Sequence, residues 1–234
     1  MLYLIGLGLN VDGISSYGLE VARRCKKVYL ESYTVDFPYS VGELQMVVDK
    51  KIIPIEREKV EDLSLIDEAS RLDVALLVYG SPLTATTHIT LIDEAKKSGI
   101  KCKVIYSASI LDAVAETGLQ LYKFGKITSL PKHEADSFME IVKENQSINA
   151  HSLILIDIGM DVQDALESLE RAAKKHKIKI NKLVVCQSLG TKQKKIFYKS
   201  LPELKELSGV RKPFCFIIPG KLHFLEKEIL EGFS

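Results

Sequence analysis

The chain has 234 residues, 46% hydrophobic and 27% charged, a globular composition with material for one large domain or two small ones. Lys+Arg numbers 32 against 31 for Asp+Glu, and a net charge of +1 argues against a protein that binds nucleic acid along a broad basic face. No apolar run approaches the ~20 residues of a membrane helix, residues 2–9 lack the basic segment of a signal peptide, and the scattered Cys25, Cys102, Cys186 and Cys215 read as packing residues of a reducing compartment, so the chain reads as soluble and cytoplasmic.

Tyr3-Leu4-Ile5 opens as a buried strand, and Leu19, Ala22 and Cys25 follow at helical spacing, with Ser15 or Ser16 placed to cap. Val28-Tyr29-Leu30 and Ile52–Ile55 predict further strands, and Leu65, Ala69 and Leu72 a short helix. Asp73–Val78 is apolar almost throughout, which suits a strand covered on both faces of a parallel sheet. A helix through Leu91, Ile92 and Ala95 stops at Gly99, and Lys103–Tyr106 is a fifth strand. The pattern predicts an α/β domain over residues 1–106 with a mostly parallel sheet.

Beyond it, helical residues Ile110 to Val114 lead to Gly118, and a polar helix carries Phe138, Ile141 and Val142 on one side. Leu153–Ile158 predicts a central strand, and Val162, Ala165, Leu166, Leu169, Ala172 and Ala173 fall on one helical face. Leu183–Cys186 and Lys195–Tyr198 predict a hairpin around residues 190–193, and a last strand, Phe214–Ile218, ends at Pro219-Gly220. Adjacent antiparallel strands predict a mixed sheet in a second α/β domain, residues 107–234.

Three strand ends share one chemistry. Gly6-Leu7-Gly8 carries a glycine pair, Gly80-Ser81-Pro82 and Ser107-Ala108-Ser109 are small or turn-forming throughout, and within one parallel sheet the three would converge at its carboxyl edge, where α/β folds bind ligands. Glu31 stands where a dinucleotide fold places its ribose-binding acid, but the third glycine of GxGxxG falls at Val11. His88 reads as a packed or capping histidine or as a catalyst, and Asp157 as a ligand contact or a turn cap. GxxxxGK[ST], HExxH, GxSxG and Cys/His metal spacing are all absent, so no metal site is expected. The lysine-rich stretches 174–177 and 192–195 read as solvated helix and hairpin surface, with a site for an acidic partner as the alternative.

Tyr3–Leu9, Gly18–Ala22, Ala85-Thr86-Thr87-His88, Ala108-Ser109-Ile110, Thr117–Lys126 and Pro219–Phe224 together resemble the diphthine synthase family, diphthamide-biosynthesis methyltransferases with the tetrapyrrole-methylase fold. The Thr-Gly-Leu-Gln-Leu-Tyr-Lys-Phe-Gly-Lys string is the most specific, because the wider methylase superfamily shares only the glycine opening. The resemblance implies two α/β domains with S-adenosylmethionine in a cleft between them, S-adenosylhomocysteine as product, and a homodimer. It implies N-methylation of a 3-amino-3-carboxypropyl-histidine on elongation factor 2, to a trimethylammonium in the archaeal type, with no nucleic-acid or membrane partner. Carried over by position, the cofactor contacts are Leu9, Ser81, Thr84, Ser109, Ile110, Ile156, Leu189 and Cys215. No residue declares itself as a dedicated base for the amine; His88 and His223 are the candidates, and water is the alternative. The family reads Gly-Asp-Pro where this chain has Gly80-Ser81-Pro82, one negative charge fewer beside a sulfonium ligand. Another methylase of the same fold, a dinucleotide oxidoreductase and a non-catalytic protein binding elongation factor 2 stand as alternatives.

Overall fold

The computed structural model describes all residues from Met1 to Ser234, and the chain divides into two compact units, Met1–Ile110 and Leu111–Ser234. Unit 1 contains β1 (Leu2–Gly6), α1 (Ser16–Arg24), β2 (Lys27–Glu31), α2 (Val41–Val48), β3 (Ile53–Ile55), α3 (Arg57–Glu61), α4 (Ser64–Arg71), β4 (Val74–Val78), α5 (Ile89–Lys97) and β5 (Cys102–Ile105), with α6 (Ile110–Ala113) at the division. Unit 2 contains β6 (Thr128–Leu130), α7 (Phe138–Ser147), β7 (Ser152–Ile156), α8 (Val162–Lys175), β8 (Leu183–Gln187), β9 (Lys195–Lys199), α9 (Leu201–Lys205), β10 (Phe214–Ile218) and α10 (Phe224–Glu231). No helix is long and apolar enough to cross a membrane.

The first sheet runs β3-β2-β4-β1-β5 with every pairing parallel. Alternate strand residues serve two cores. Ile5, Leu30 and Leu77 pack with Val21, Ala22, Leu44 and Val48 of α1 and α2. Leu4, Tyr29, Leu76 and Val78 pack with Leu65, Ala69, Leu91 and Ala95 of α4 and α5. Both faces are therefore dry, which is why β4 is buried at every position and its sequence shows no alternation.

The second sheet runs β6-β7-β10-β8-β9. Only β6 and β7 pair in parallel; the other pairings are antiparallel, the mixed sheet expected from the sequence. Helix α8 buries Val162, Ala165, Leu166, Leu169, Ala172 and Ala173, and burying its two leucines contributes roughly 3–6 kcal/mol before the entropy of ordering them.

The sequence boundary at 106/107 moves to Ile110/Leu111 because the segment after β5 packs back onto unit 1: Ser107 Oγ donates to the Gly13 carbonyl at 2.9 Å. The strand expected over Leu153–Ile158 stops at Ile156, since Asp157 accepts the Lys132 N–H at 3.1 Å and its neighbour Ile158's N–H at 3.0 Å, turning the chain. Asp157 is a turn cap. Helices α2, α3 and α9 were not expected from the sequence.

Candidate functional site

In unit 1, β4, β1 and β5 are neighbours in one parallel sheet, so the three small-residue segments leave from one edge, side by side. Gly8 and Gly80 exchange backbone hydrogen bonds of 3.1 and 2.9 Å. A Cβ on Gly6 would lie 2.7 Å from the Gly80 carbonyl oxygen, so only glycine lets the first two segments come so close. The Tyr79 hydroxyl donates to the Leu9 carbonyl at 3.0 Å, and Thr84 N–H to the Ser81 carbonyl at 3.0 Å. Leu9, Ser81 and Ser109 are buried, and Thr84 and Ile110 half-buried, on these three segments. Helix α1 starts only at Ser16, capped by Ser15, well after the glycines, so the helix N-terminus that a dinucleotide pyrophosphate needs is not presented by Gly6-Leu7-Gly8.

In unit 2 the antiparallel register does the assembling. Cys215 pairs with Leu155 on one side and Cys186 on the other, so Ile156 at the end of β7, Leu189 just past β8 and Cys215 near the start of β10 share one sheet edge. Leu189 and Cys215 are buried, Ile156 half-buried. The four cysteines are free; the Cys186 thiol is held well above its ordinary pKa by its hydrogen bond with Cys215 and by burial.

The two candidate histidines have structural partners. His88 is 1% exposed, with Nδ1 3.0 Å from the Pro82 carbonyl. A carbonyl only accepts, so Nδ1 carries the proton, and burial holds the ring's pKa below its ordinary value. Thr86 Oγ1 donates to the same oxygen at 2.6 Å, and together they pin the Gly80-Ser81-Pro82 turn. His223 is exposed and caps α10, its Nδ1 accepting the Leu225 N–H at 3.4 Å.

Two buried carboxylates add to these: the sequence did not single out Glu226, and it marked Glu31 only as a candidate ribose-binding acid, not as a buried one. Glu226, in unit 2, accepts from Gln120 N–H, His223 N–H, His151 Nε2 and the Lys123 ammonium, and so ties the Thr117–Lys126 string to the Pro219–Phe224 string. Gly220 N–H donates to His151 Nδ1 at 2.9 Å, which leaves Nε2 as the protonated nitrogen facing Glu226. Glu31, at the end of β2, is fully buried: Oε2 accepts from Thr34 Oγ1 at 2.9 Å and Oε1 has no donor. Nothing in its local sequence separates it from a charged strand end on the surface.

The residues carried over for S-adenosylmethionine are apolar or hydroxylated, with one thiol, and none of them is a cation. That set fits an adenosyl ligand gripped by shape and backbone groups. No group of three or more His, Cys, Asp or Glu is placed to hold a metal ion.

The family model described as Tetrapyrrole (Corrin/Porphyrin) Methylases matches residues 1–205. The diphthine synthase of Methanocaldococcus jannaschii is 37% identical over 251 residues, spanning 99% of this chain and 98% of that protein. The diphthine methyl ester synthase of Schizosaccharomyces pombe is 40% identical over 181 residues, 74% of this chain and 64% of that protein. A crystal structure of a diphthine synthase superposes with a TM-score of 0.92 at 34% identity, covering 100% of this chain and 95% of that one.

Proposed function

The chain belongs to the tetrapyrrole methylase family and, within it, to the diphthine synthases, and from that premise we propose that it methylates the amino group of the 3-amino-3-carboxypropyl-histidine on elongation factor 2. It is an S-adenosylmethionine-dependent methyltransferase of diphthamide biosynthesis. The proposal adds the protein substrate, a trimethylammonium product and a homodimeric state. Its main support is likeness to diphthine synthases over nearly the full chain, where the wider family model matches residues 1–205.

Bound S-adenosylmethionine supplies a methyl group already activated by its sulfonium leaving group. Alignment of a neutral amine with that methyl is then the principal task of the protein. Leu9, Ser81, Thr84, Ser109 and Ile110 of unit 1 and Ile156, Leu189 and Cys215 of unit 2 bind the cofactor, and the buried hydroxyls of Ser81 and Ser109 place their dipoles without adding bulk. His88 holds the turn that carries Ser81.

Calorimetry with S-adenosylhomocysteine, followed by labelled methyl transfer to elongation factor 2 bearing the unmethylated intermediate, tests the reading. Binding with transfer of three methyls that resist mild base is the expected result. The name of the fission-yeast relative includes a methyl ester, so one base-labile methyl in the product marks that second reading. Binding of elongation factor 2 without any transfer marks a non-catalytic homologue, and transfer to a tetrapyrrole instead overturns the assignment.

A further inference from the structure

The carboxyl edge of the first sheet holds a buried carboxylate with one oxygen that the fold leaves without a partner. Glu31 ends β2, one residue beyond the Leu30–Leu77 pairing, so it lies beside the exit of β4 that leads to Ser81. It is wholly buried and in no ion pair; Thr34 Oγ1 and the Tyr33 and Thr34 N–H groups act on its carboxylate, but Oε1 has no hydrogen-bond partner. The cation that acts on it, Arg57 of α3, instead stacks 5.3 Å over the Tyr33 ring and pairs with Glu61. The Tyr33 and Tyr39 hydroxyls of the same segment are also buried without a partner. That segment is seated on the β4 exit: Phe37 meets Tyr79 edge-on at 5.2 Å, and the Tyr79 hydroxyl holds the Leu9 carbonyl. Interior polar groups are almost always satisfied, and those that are not gather where a ligand completes them.

On the reading that the substrate is an amine, we propose that Glu31 receives its ammonium group on Oε1 and accepts the proton the amine must lose. The carboxylate takes H⁺ from R–NH₃⁺, leaving R–NH₂ and a neutral carboxyl. The freed nitrogen lone pair forms the N–C bond to the methyl while the C–S bond breaks, its electron pair remaining on sulfur. Glu31 returns the proton to water before the next transfer. Burial raises its pKa, which makes it a stronger base than a surface carboxylate. A fully methylated nitrogen has no N–H left to offer Oε1, so the same contact favours release of the trimethylated product.

Glu31→Gln keeps the shape and an oxygen for Thr34 while removing the base. Wild type, Glu31→Gln and Glu31→Asp are compared by melting temperature, calorimetry with S-adenosylhomocysteine, calorimetry with the unmethylated elongation factor 2, and single-turnover methyl transfer. The expected result for Glu31→Gln is an unchanged or higher melting temperature, unchanged S-adenosylhomocysteine affinity, acceptor binding weakened about tenfold, and transfer slowed a hundredfold or more. Glu31→Asp, which keeps the base, recovers part of the rate. Transfer by Glu31→Gln within threefold of an active wild type overturns the role of Glu31 and leaves the proposed function standing. A wild type that neither binds nor methylates this acceptor overturns both. If Glu31→Gln does not fold, Glu31→Asp carries the test, and a rate equal to that of a Thr34→Val control overturns the proposal.

Discussion

A carboxylate that is 1% exposed stays ionised only if donors replace the water it has lost, and Glu226 has four of them. Burial pushes its pKa up, but Lys123, the Gln120 and His223 N–H groups and His151 outweigh that and hold it at about 2. His151 is fully buried, and burial takes its pKa below the ordinary value although Glu226 pulls the other way. Both shifts have the same consequence. A depressed histidine resists the proton that the unfolded chain binds below about pH 6.5, and a depressed carboxylate resists the one bound below about pH 4.3, so each contribution is lost on acidification. Urea unfolding between pH 8 and pH 3 is expected to show a midpoint that is flat above about pH 7, falls through the histidine range and falls again below about pH 4.5. Glu226→Gln removes one partner of a buried cluster and is expected to lower stability at pH 7 by roughly 3–5 kcal/mol and to flatten the second fall. A loss under about 0.5 kcal/mol would show that the four donors do not depend on the anion.

At the scale of elements, the glycine of the Thr117–Lys126 string explains why that string and α10 occur together. Gly118 ends a 3-10 turn with φ +80°, and a Cβ there would lie 2.8 Å from Cβ and 2.9 Å from Cδ1 of Ile229 on α10. Gly118→Ala therefore meets both a backbone penalty and a clash, and a loss of about 2–4 kcal/mol in chemical denaturation is expected. Ile229→Gly in the same chain clears the clash but not the φ, so, measured against Ile229→Gly alone, Gly118→Ala is expected to cost less than in the unsubstituted chain; an equal cost would place the whole effect in the backbone. The reading from sequence reached the elements whose apolar residues declare a period, such as β4, α5 and α8, and it placed the three strand ends of unit 1 on one edge because a parallel sheet allows nothing else. It missed α2, although Ser40 and Glu43 form a capping box there, because the helix is short and its apolar residues run together at Val47-Val48. Helix α9 escaped likewise, behind the Ser200 and Glu203 box. Glu31 and Glu226 were illegible as buried acids for a different reason: the partners that settle their chemistry, or the want of one, come from tertiary packing, with Gln120 lying 106 residues from Glu226.

For the whole molecule, the reading of Leu9, Ser109 and Ile156 as cofactor contacts has a thermodynamic consequence that needs no methyl acceptor. A ligand that binds only the folded chain stabilises it by RT ln(1 + [L]/Kd), about 2.7 kcal/mol at a hundredfold excess over Kd. For a chain of this length 1 kcal/mol moves the melting temperature by roughly 2–4 °C, so saturating S-adenosylhomocysteine is expected to raise it by about 5–11 °C. The chain has no tryptophan, so scanning calorimetry or a dye-based melt is the suitable measurement. Calorimetry also registers which unit responds. Ser109→Trp in unit 1 and Ile156→Trp in unit 2 add bulk to half-buried or buried positions of the two residue sets separately, and each is expected to abolish the shift while the unliganded protein still melts in a cooperative transition. A shift that survives Ser109→Trp would remove the β5 exit from the cofactor site, and one that survives Ile156→Trp would remove the β7 end. Absence of any shift with the unsubstituted chain at millimolar ligand would remove the cofactor assignment itself, because no folded protein can hold a ligand this way and gain nothing from it.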